Sequence, residues 1–102
     1  MLYSYYFALA SQDFLVNEEP VEEILRERKS YYASIRKEID FWFILNPEFT
    51  EYAVFDNKYT KLPKDCAAIV SLDKKFIQWL KLRIGFVATG KFESSALSIS
   101  NS

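Results

Sequence analysis

The chain has 102 residues, half of them hydrophobic and 18% aromatic, with a net charge of −1. That is enough for one core and little more, too apolar for a disordered segment, and without the basic field that holds nucleic acid. A single cysteine, Cys66, and the absence of histidine exclude an intramolecular disulfide and a thiolate metal site, and remove the commonest general acid/base and metal ligand.

Leu2 to Ala10 reads as the first strand, with Tyr3, Tyr5, Phe7 and Leu9 on one face and Ser4, Tyr6, Ala8 and Ala10 on the other. No charged leader precedes it and no apolar run reaches the roughly 18–20 residues of a membrane span. A soluble protein, made in a reducing compartment where it works, is the expectation. Ser11 to Asn17 is a connector with a short helical turn at SQDFL.

Pro20 stands where a first helical turn accepts it, among Glu18, Glu19, Glu22 and Glu23 at the positive helix end. These acids read as a solvated first turn rather than a metal site. The helix is expected to run to about Ile35. Val21, Ile24, Leu25, Tyr31, Tyr32 and Ile35 form its apolar stripe. Arg28 projects from the middle of that stripe, so it needs either a wet margin or a carboxylate partner.

Ile39 to Leu45 is the second strand, stopped by Asn46-Pro47. Alternation puts Ile39, Phe41, Phe43 and Leu45 on one face and Asp40, Trp42 and Ile44 on the other. With the first set under the helices, the second occupies the open face of the sheet, where Tyr6 could join it; the reverse register would turn Asp40 toward the helices. An apolar open face marks either a contact surface or the seat of a covering segment, and residues 47–65 or the C-terminal tail are the candidate covers. Within 47–65, PEFTEYAV suits a turn of helix.

Cys66 to Ser71 is a short buried strand in which Cys66 packs as a small hydrophobe. Ser71 or Asp73 caps the next helix, DKKFIQWLKLR. Phe76, Ile77, Leu80 and Ile84 are its apolar centre, and Gly85 ends it. Trp79 and Arg83, four apart, share one edge of the helix, flanking the core stripe. Both types are rich in interface hot spots; the bland alternative is a tryptophan at the core margin. Phe86 to Thr89 is the last strand.

The order is β-α-β-β-α-β. It predicts an α+β, ferredoxin-like fold: a four-stranded, mainly antiparallel sheet with two helices packed on one face. Residues 1–93 are expected to form one domain and 94–102 a flexible serine-rich tail. The residue inventory implies no catalytic set, no cofactor and no metal site.

Taken in order, YYFALASQDFL, EEPVEEILRERKSYY, EIDFWF, FIQWLKLR and TGKFE resemble the ycf-fifty-four family, small proteins of cyanobacteria and of algal and plant plastids. The resemblance covers about residues 2–45 and 67–93. It implies an accessory subunit of the aerobic magnesium-protoporphyrin IX monomethyl ester oxidative cyclase of chlorophyll biosynthesis. The oxygen chemistry would belong to a separate, membrane-associated di-iron protein. The chain would be its assembly or stabilising factor, meeting thylakoid membranes through that partner, in cyanobacterial cytoplasm or chloroplast stroma, with other chlorophyll-biosynthesis enzymes as further candidate partners. The family's contact surface carries over onto Asp40, Phe41 and Arg83. Trp42 and Trp79 join it from spacing alone. The alternative function is a tetrapyrrole carrier that delivers the porphyrin substrate, with aromatic surface for the ring and arginine for its carboxylate.

Overall fold

The computed structural model describes residues 2–18, 21–56, 64–85 and 87–95. Expectations that fall on Pro20, on 57–63, on Phe86 and on 96–102 lie outside these residues.

The strands are β1 (Tyr3–Ser11), β2 (Phe41–Leu45), β3 (Val54–Phe55), β4 (Cys66–Ser71) and β5 (Ala88–Ser94). They form one sheet in the order β2-β4-β1-β5-β3, with every neighbouring pair antiparallel. Helices α1 (Val21–Ser34) and α2 (Lys74–Ile84) complete the fold. The four long strands have the split βαβ arrangement the sequence predicts, with β4 inserted between β1 and β2. The sheet nevertheless has five strands, not four. The addition is β3, two residues from the long connector, paired with Lys91 and Gly90 of β5. A pairing this short leaves no periodic signal in a sequence.

Both sheet faces are buried. On one, α1 and α2 cover Ala8, Ala10, Phe41, Ala67 and Ile69 with Val21, Tyr32, Phe76, Ile77, Leu80 and Ile84. On the other lie Tyr5, Phe7, Leu9, Ile44, Ala68, Val70, Ala88 and Phe92. A 3-10 turn at Glu48–Glu51 lowers Phe49 onto this second face. Phe49 stacks on Phe92 at 4.4 Å and meets Phe7 at 4.8 Å; Tyr5 stacks on Phe92 at 5.2 Å. The apolar second face of β2 is therefore largely a second core, closed by the connector. Aromatic rings account for much of it because a short turn brings few side chains and each ring buries a large area.

Several finer expectations change. β2 begins at Phe41 rather than Ile39, and β5 runs over 88–94 rather than 86–89. Tyr6 packs on the helix side of the sheet, as its alternation with Ala8 and Ala10 requires. The α1 stripe is buried at Val21 and Tyr32, but Tyr31 and Ile35 face solvent. The helical turn after β1 covers Phe14–Glu18 and buries Leu15. Asp73 caps α2, its carboxylate accepting from the Lys75 amide at 3.0 Å, and Gly85 closes the helix with φ of 95°.

Candidate functional site

Asp40 stands just ahead of β2. It is not on the open face. Strand alternation does not reach it, because the ladder begins one residue later. Its carboxylate instead turns to α1, accepting a hydrogen bond from the Tyr32 hydroxyl at 2.9 Å and pairing with Lys37 Nζ at 3.6 Å. Its carbonyl accepts from the Leu72 amide at 3.0 Å. One residue thereby fastens α1, β2 and the entry to α2.

Arg28 completes this junction. Its Nη2 donates to the Tyr32 hydroxyl at 2.9 Å and to Asp73 Oδ2 at 3.1 Å. Its guanidinium lies 3.7 Å from the centre of the Phe76 ring, a geometry that attracts a cation to the π face. Of the two alternatives open to Arg28, the carboxylate partner is the one present: it is the cap of α2, and the ion pair lies within the chain. The Arg28 Nε is buried and makes no hydrogen bond among the described residues.

The Tyr32 hydroxyl is pushed above the usual phenol pKa, first by burial and then by its hydrogen bond to Asp40, with Arg28 opposing. Lys37 is also raised, chiefly by its hydrogen bond to Tyr32, with the Asp40 charge adding to it. Both shifts favour the protonated forms, those in which tyrosine donates and lysine is cationic. The cluster is a structural tie set for neutral pH.

Phe41, only 5% exposed, is held in the helix-side core between Tyr32 at 5.3 Å and Phe76 at 5.9 Å. Trp79 stacks on Phe76 at 6.2 Å with 17° between the rings, yet remains 49% exposed. The rings Phe41, Phe76 and Trp79 therefore form a column from the core to the surface, and Trp79 is its open end. Around it lies a shallow crevice between the helices, lined in part by Ile24, Glu27, Tyr31 and Lys75. Arg83 is exposed one turn beyond Trp79, and Leu82 beside it is 87% exposed.

Asp40 and Arg83 belong to opposite ends of α2, about 15 Å apart along its axis, so the two charges do not share a spot. Trp42 is elsewhere again. It is half-buried at the sheet edge, with its ring 5.9 Å from Tyr5 on the connector side. The structure joins Phe41, through Phe76, to Trp79 on α2; it leaves Asp40 at the entry to that helix and Arg83 at its far end, and it separates Trp42 from them all. Tyr31 and Leu82 are surface members of the same helical layer that the spacing argument did not single out. Tyr31 read as core from its stripe but is 61% exposed.

Among the described residues, no group of three or more acidic or cysteine side chains is placed to hold a metal ion. No described helix is long and apolar enough to cross a membrane. Fold and site together define a class: a small ferredoxin-like α+β protein that displays an aromatic and cationic helix edge.

Comparison with known proteins gives the class a family. The family model described as Ycf54 protein matches residues 3–94. The chain is 53% identical over 92 residues to the uncharacterized protein ycf54 of Porphyra purpurea, spanning 90% of this chain and 85% of that one. It also resembles the solved structure of the Ycf54 protein from Synechocystis sp. PCC6803, at 44% identity and a TM-score of 0.79, over 94% of this chain and 90% of that one. The All0216 protein from Nostoc sp. PCC 7120 superposes with a TM-score of 0.80 at 41% identity, over 94% of this chain and 89% of that one. The chain belongs to the Ycf54 family.

Proposed function

We propose that the chain is a non-catalytic accessory factor that binds and stabilises the di-iron magnesium-protoporphyrin IX monomethyl ester cyclase of chlorophyll biosynthesis, in cyanobacterial cytoplasm or chloroplast stroma. Membership of the family supports the assignment, through the role that the sequence resemblance implies. One observation of this chain carries the choice of surface. Trp79 remains half exposed although its ring rests on a column anchored in the core. A rigid aromatic with one open face and an arginine one turn away is the composition of an interface hot spot.

On this reading Trp79 and Arg83 touch the partner, and Tyr31 and Leu82 widen the contact. Asp40 and Phe41 are positioning residues. They set the junction of α1 with α2, and the column below Trp79, without reaching the partner themselves.

The test is capture of the cyclase from detergent-solubilised membranes by tagged variants, with a melting curve for each. Trp79→Ala and Arg83→Ala should each still unfold in one cooperative transition above the capture temperature and lose most of the captured cyclase, since a central hot spot contributes about 2–4 kcal/mol. Asp40→Ala should lose capture together with thermal stability. Wild-type capture by both Trp79→Ala and Arg83→Ala would remove this surface from consideration.

A further inference from the structure

The two flanks of α2 carry different chemistry. Trp79 lies on the flank beside α1, where Ile24, Glu27 and Arg28 face it. Lys74, Gln78 and Lys81 are spaced by four and three, so they share the opposite flank. α2 packs chiefly on β1 and β4. The helix side of β5 is therefore left at the edge of the helical layer, below the lysine flank.

Strand alternation fixes what stands there. Phe92, and the Phe7 ring next to Gly90, belong to the connector side, so Thr89 and Lys91 point to the helix side. Lys91 is the antiparallel partner of Tyr6, which packs on that same side. Helix flank and strand enclose a crevice of about 220 Å³, floored by Tyr6 and Thr89 and rimmed by Lys74, Gln78, Lys81 and Lys91.

The three lysines make no ion pair among the described residues. Lys74 Nζ lies 5.9 Å from the centre of the Tyr6 ring, so its ammonium leans over the crevice floor. The acid in the described lining, Asp56, is turned to Thr89. The Thr89 hydroxyl donates to Asp56 Oδ2 at 2.7 Å, and the Thr89 carbonyl accepts from the Asp56 amide at 2.9 Å. Three like charges thus converge with none of them neutralised by contact, and an anion entering the crevice relieves their repulsion.

Size and charge decide what sort of anion. The space is smaller than the roughly 300–1,000 Å³ of a site for a drug-sized molecule, so it receives a group rather than a whole cofactor. The described rim holds lysines, point charges without the planar fork that arginine offers to phosphate. The chain as a whole has a net charge of −1, with no broad basic field for a nucleic acid. Lys74 and Lys81 stand two turns apart, about 10.5 Å along the helix. They can meet separate carboxylates of an extended chain, whose side chains recur on one face every ~6.8 Å.

We propose that the Lys74–Lys81–Lys91 crevice docks an extended acidic segment of a partner protein. One carboxylate sits between the three ammonium groups above Tyr6, and its neighbours follow the α2 flank. The Gln78 amide, set between the two helix lysines, supplies a donor and an acceptor for the segment's backbone. This site is on the other side of α2 from Trp79 and does not rest on the cyclase reading.

The experiment titrates the purified chain with hexaglutamate blocked at both ends, following amide NMR shifts at about 20 mM and about 300 mM salt. The expected result is saturable binding at low salt, with shifts at Lys74, Gln78, Lys81 and Lys91, and at least about tenfold weaker binding at high salt. Lys81→Glu and Lys91→Glu each lose an attraction and gain a repulsion, and should each weaken binding about tenfold. Lys75→Glu makes the same change of charge on the Trp79 flank and should alter binding less than about twofold. Lys75, Lys81 and Lys91 are exposed, so the fold should persist. Should a reversal unfold the chain, Lys81→Gln and Lys91→Gln repeat the test by removing charge alone. Equal losses from Lys75→Glu and Lys81→Glu would overturn the proposal, because net charge would then account for the binding. So would an absence of shifts at low salt, or pyrophosphate binding as tightly as the peptide. Phosphatidylglycerol vesicles that bind through the same lysines while hexaglutamate does not would overturn it in favour of a membrane surface.

Discussion

The Tyr32 hydroxyl and the Asp40 carboxylate are 2.9 Å apart, joining the last turn of α1 to the residue just ahead of β2 across eight residues of chain. The same hydroxyl accepts from Arg28 at 2.9 Å and from Lys37 at 3.4 Å, so removing it breaks three bonds that share one atom. Tyr32→Phe should lower unfolding stability by about 1–3 kcal/mol, the penalty for leaving partly buried charged groups short of a partner. Asp40→Ala should fall in the same range. Because the two losses share a bond, the double variant should be less destabilised than their sum, by more than the roughly 0.5 kcal/mol of scatter seen for independent sites. Urea unfolding of the four proteins measures the cycle; simple additivity would mean the bond contributes nothing.

Arg28 is the second tie, between α1 and the cap of α2. Its side chain is 23% exposed, and that of Asp73 is 36% exposed, so the pair is partly screened and worth less than a fully buried one. Packing adds to it, since the guanidinium rests on Phe76. Arg28→Ala should therefore cost about 2–3 kcal/mol, and Arg28→Lys nearly as much, because an ammonium cannot reach Tyr32 and Asp73 together while lying flat on a ring. If Arg28→Lys unfolds at the wild-type urea midpoint, charge alone is what matters there.

Much of this was legible from the chain. Period-two and period-3.6 patterns located β1, β2 and both helices, because burial on a sheet face or helix stripe repeats at those intervals; β4 was legible as a continuous apolar run, and of β5 only the start was. The cap at Asp73 and the stop at Gly85 were readable as residue chemistry. Arg28 announced itself as a cation in an apolar stripe, though its partner lay 45 residues away, beyond any local pattern. Asp40 lies one residue ahead of the β2 ladder, where the backbone no longer dictates a face, so alternation with Trp42 does not fix its side. The two-residue β3 was invisible, since nothing in Val54-Phe55 distinguishes a paired segment from a loop. Its partner Gly90 was the available clue, a glycine inside a strand pattern.

That glycine yields a sharp expectation. A Cβ on Gly90 would overlap the Val54 carbonyl oxygen and lie 2.7 Å from the Phe7 ring. The ring is fixed between Phe49 and Phe55, so neither neighbour can yield without moving β3. Gly90→Ala should destabilise by about 1–3 kcal/mol and detach β3 first. Hydrogen exchange would then show lost protection at Asp56, whose amide donates to the Thr89 carbonyl at 2.9 Å, before any change at β1. Unaltered stability in Gly90→Ala would show that the connector rides loosely over the second core.

Alkaline pH should loosen the fold, and the sign follows from four groups shifted in one direction. Burial raises the Tyr5 and Cys66 pKa values; burial and the bond to Asp40 raise Tyr32; the bond to Tyr32 raises Lys37. A group whose folded pKa exceeds its unfolded value holds its proton more tightly in the fold. Its contribution is complete below the unfolded pKa and is lost as pH rises through the folded one. The unfolded values are about 8.5 for a thiol and about 10–10.4 for tyrosine and lysine. The urea midpoint should therefore decline from about pH 8.5 upward and steepen near pH 10. Tyr32→Phe removes one of the titrating groups and the chief cause of the Lys37 shift. That variant, though weaker at neutral pH, should lose stability more gradually between about pH 9.5 and 11. Parallel decline in the two proteins over that window would mean that the Tyr32–Lys37–Asp40 cluster does not hold its protons more tightly in the folded chain.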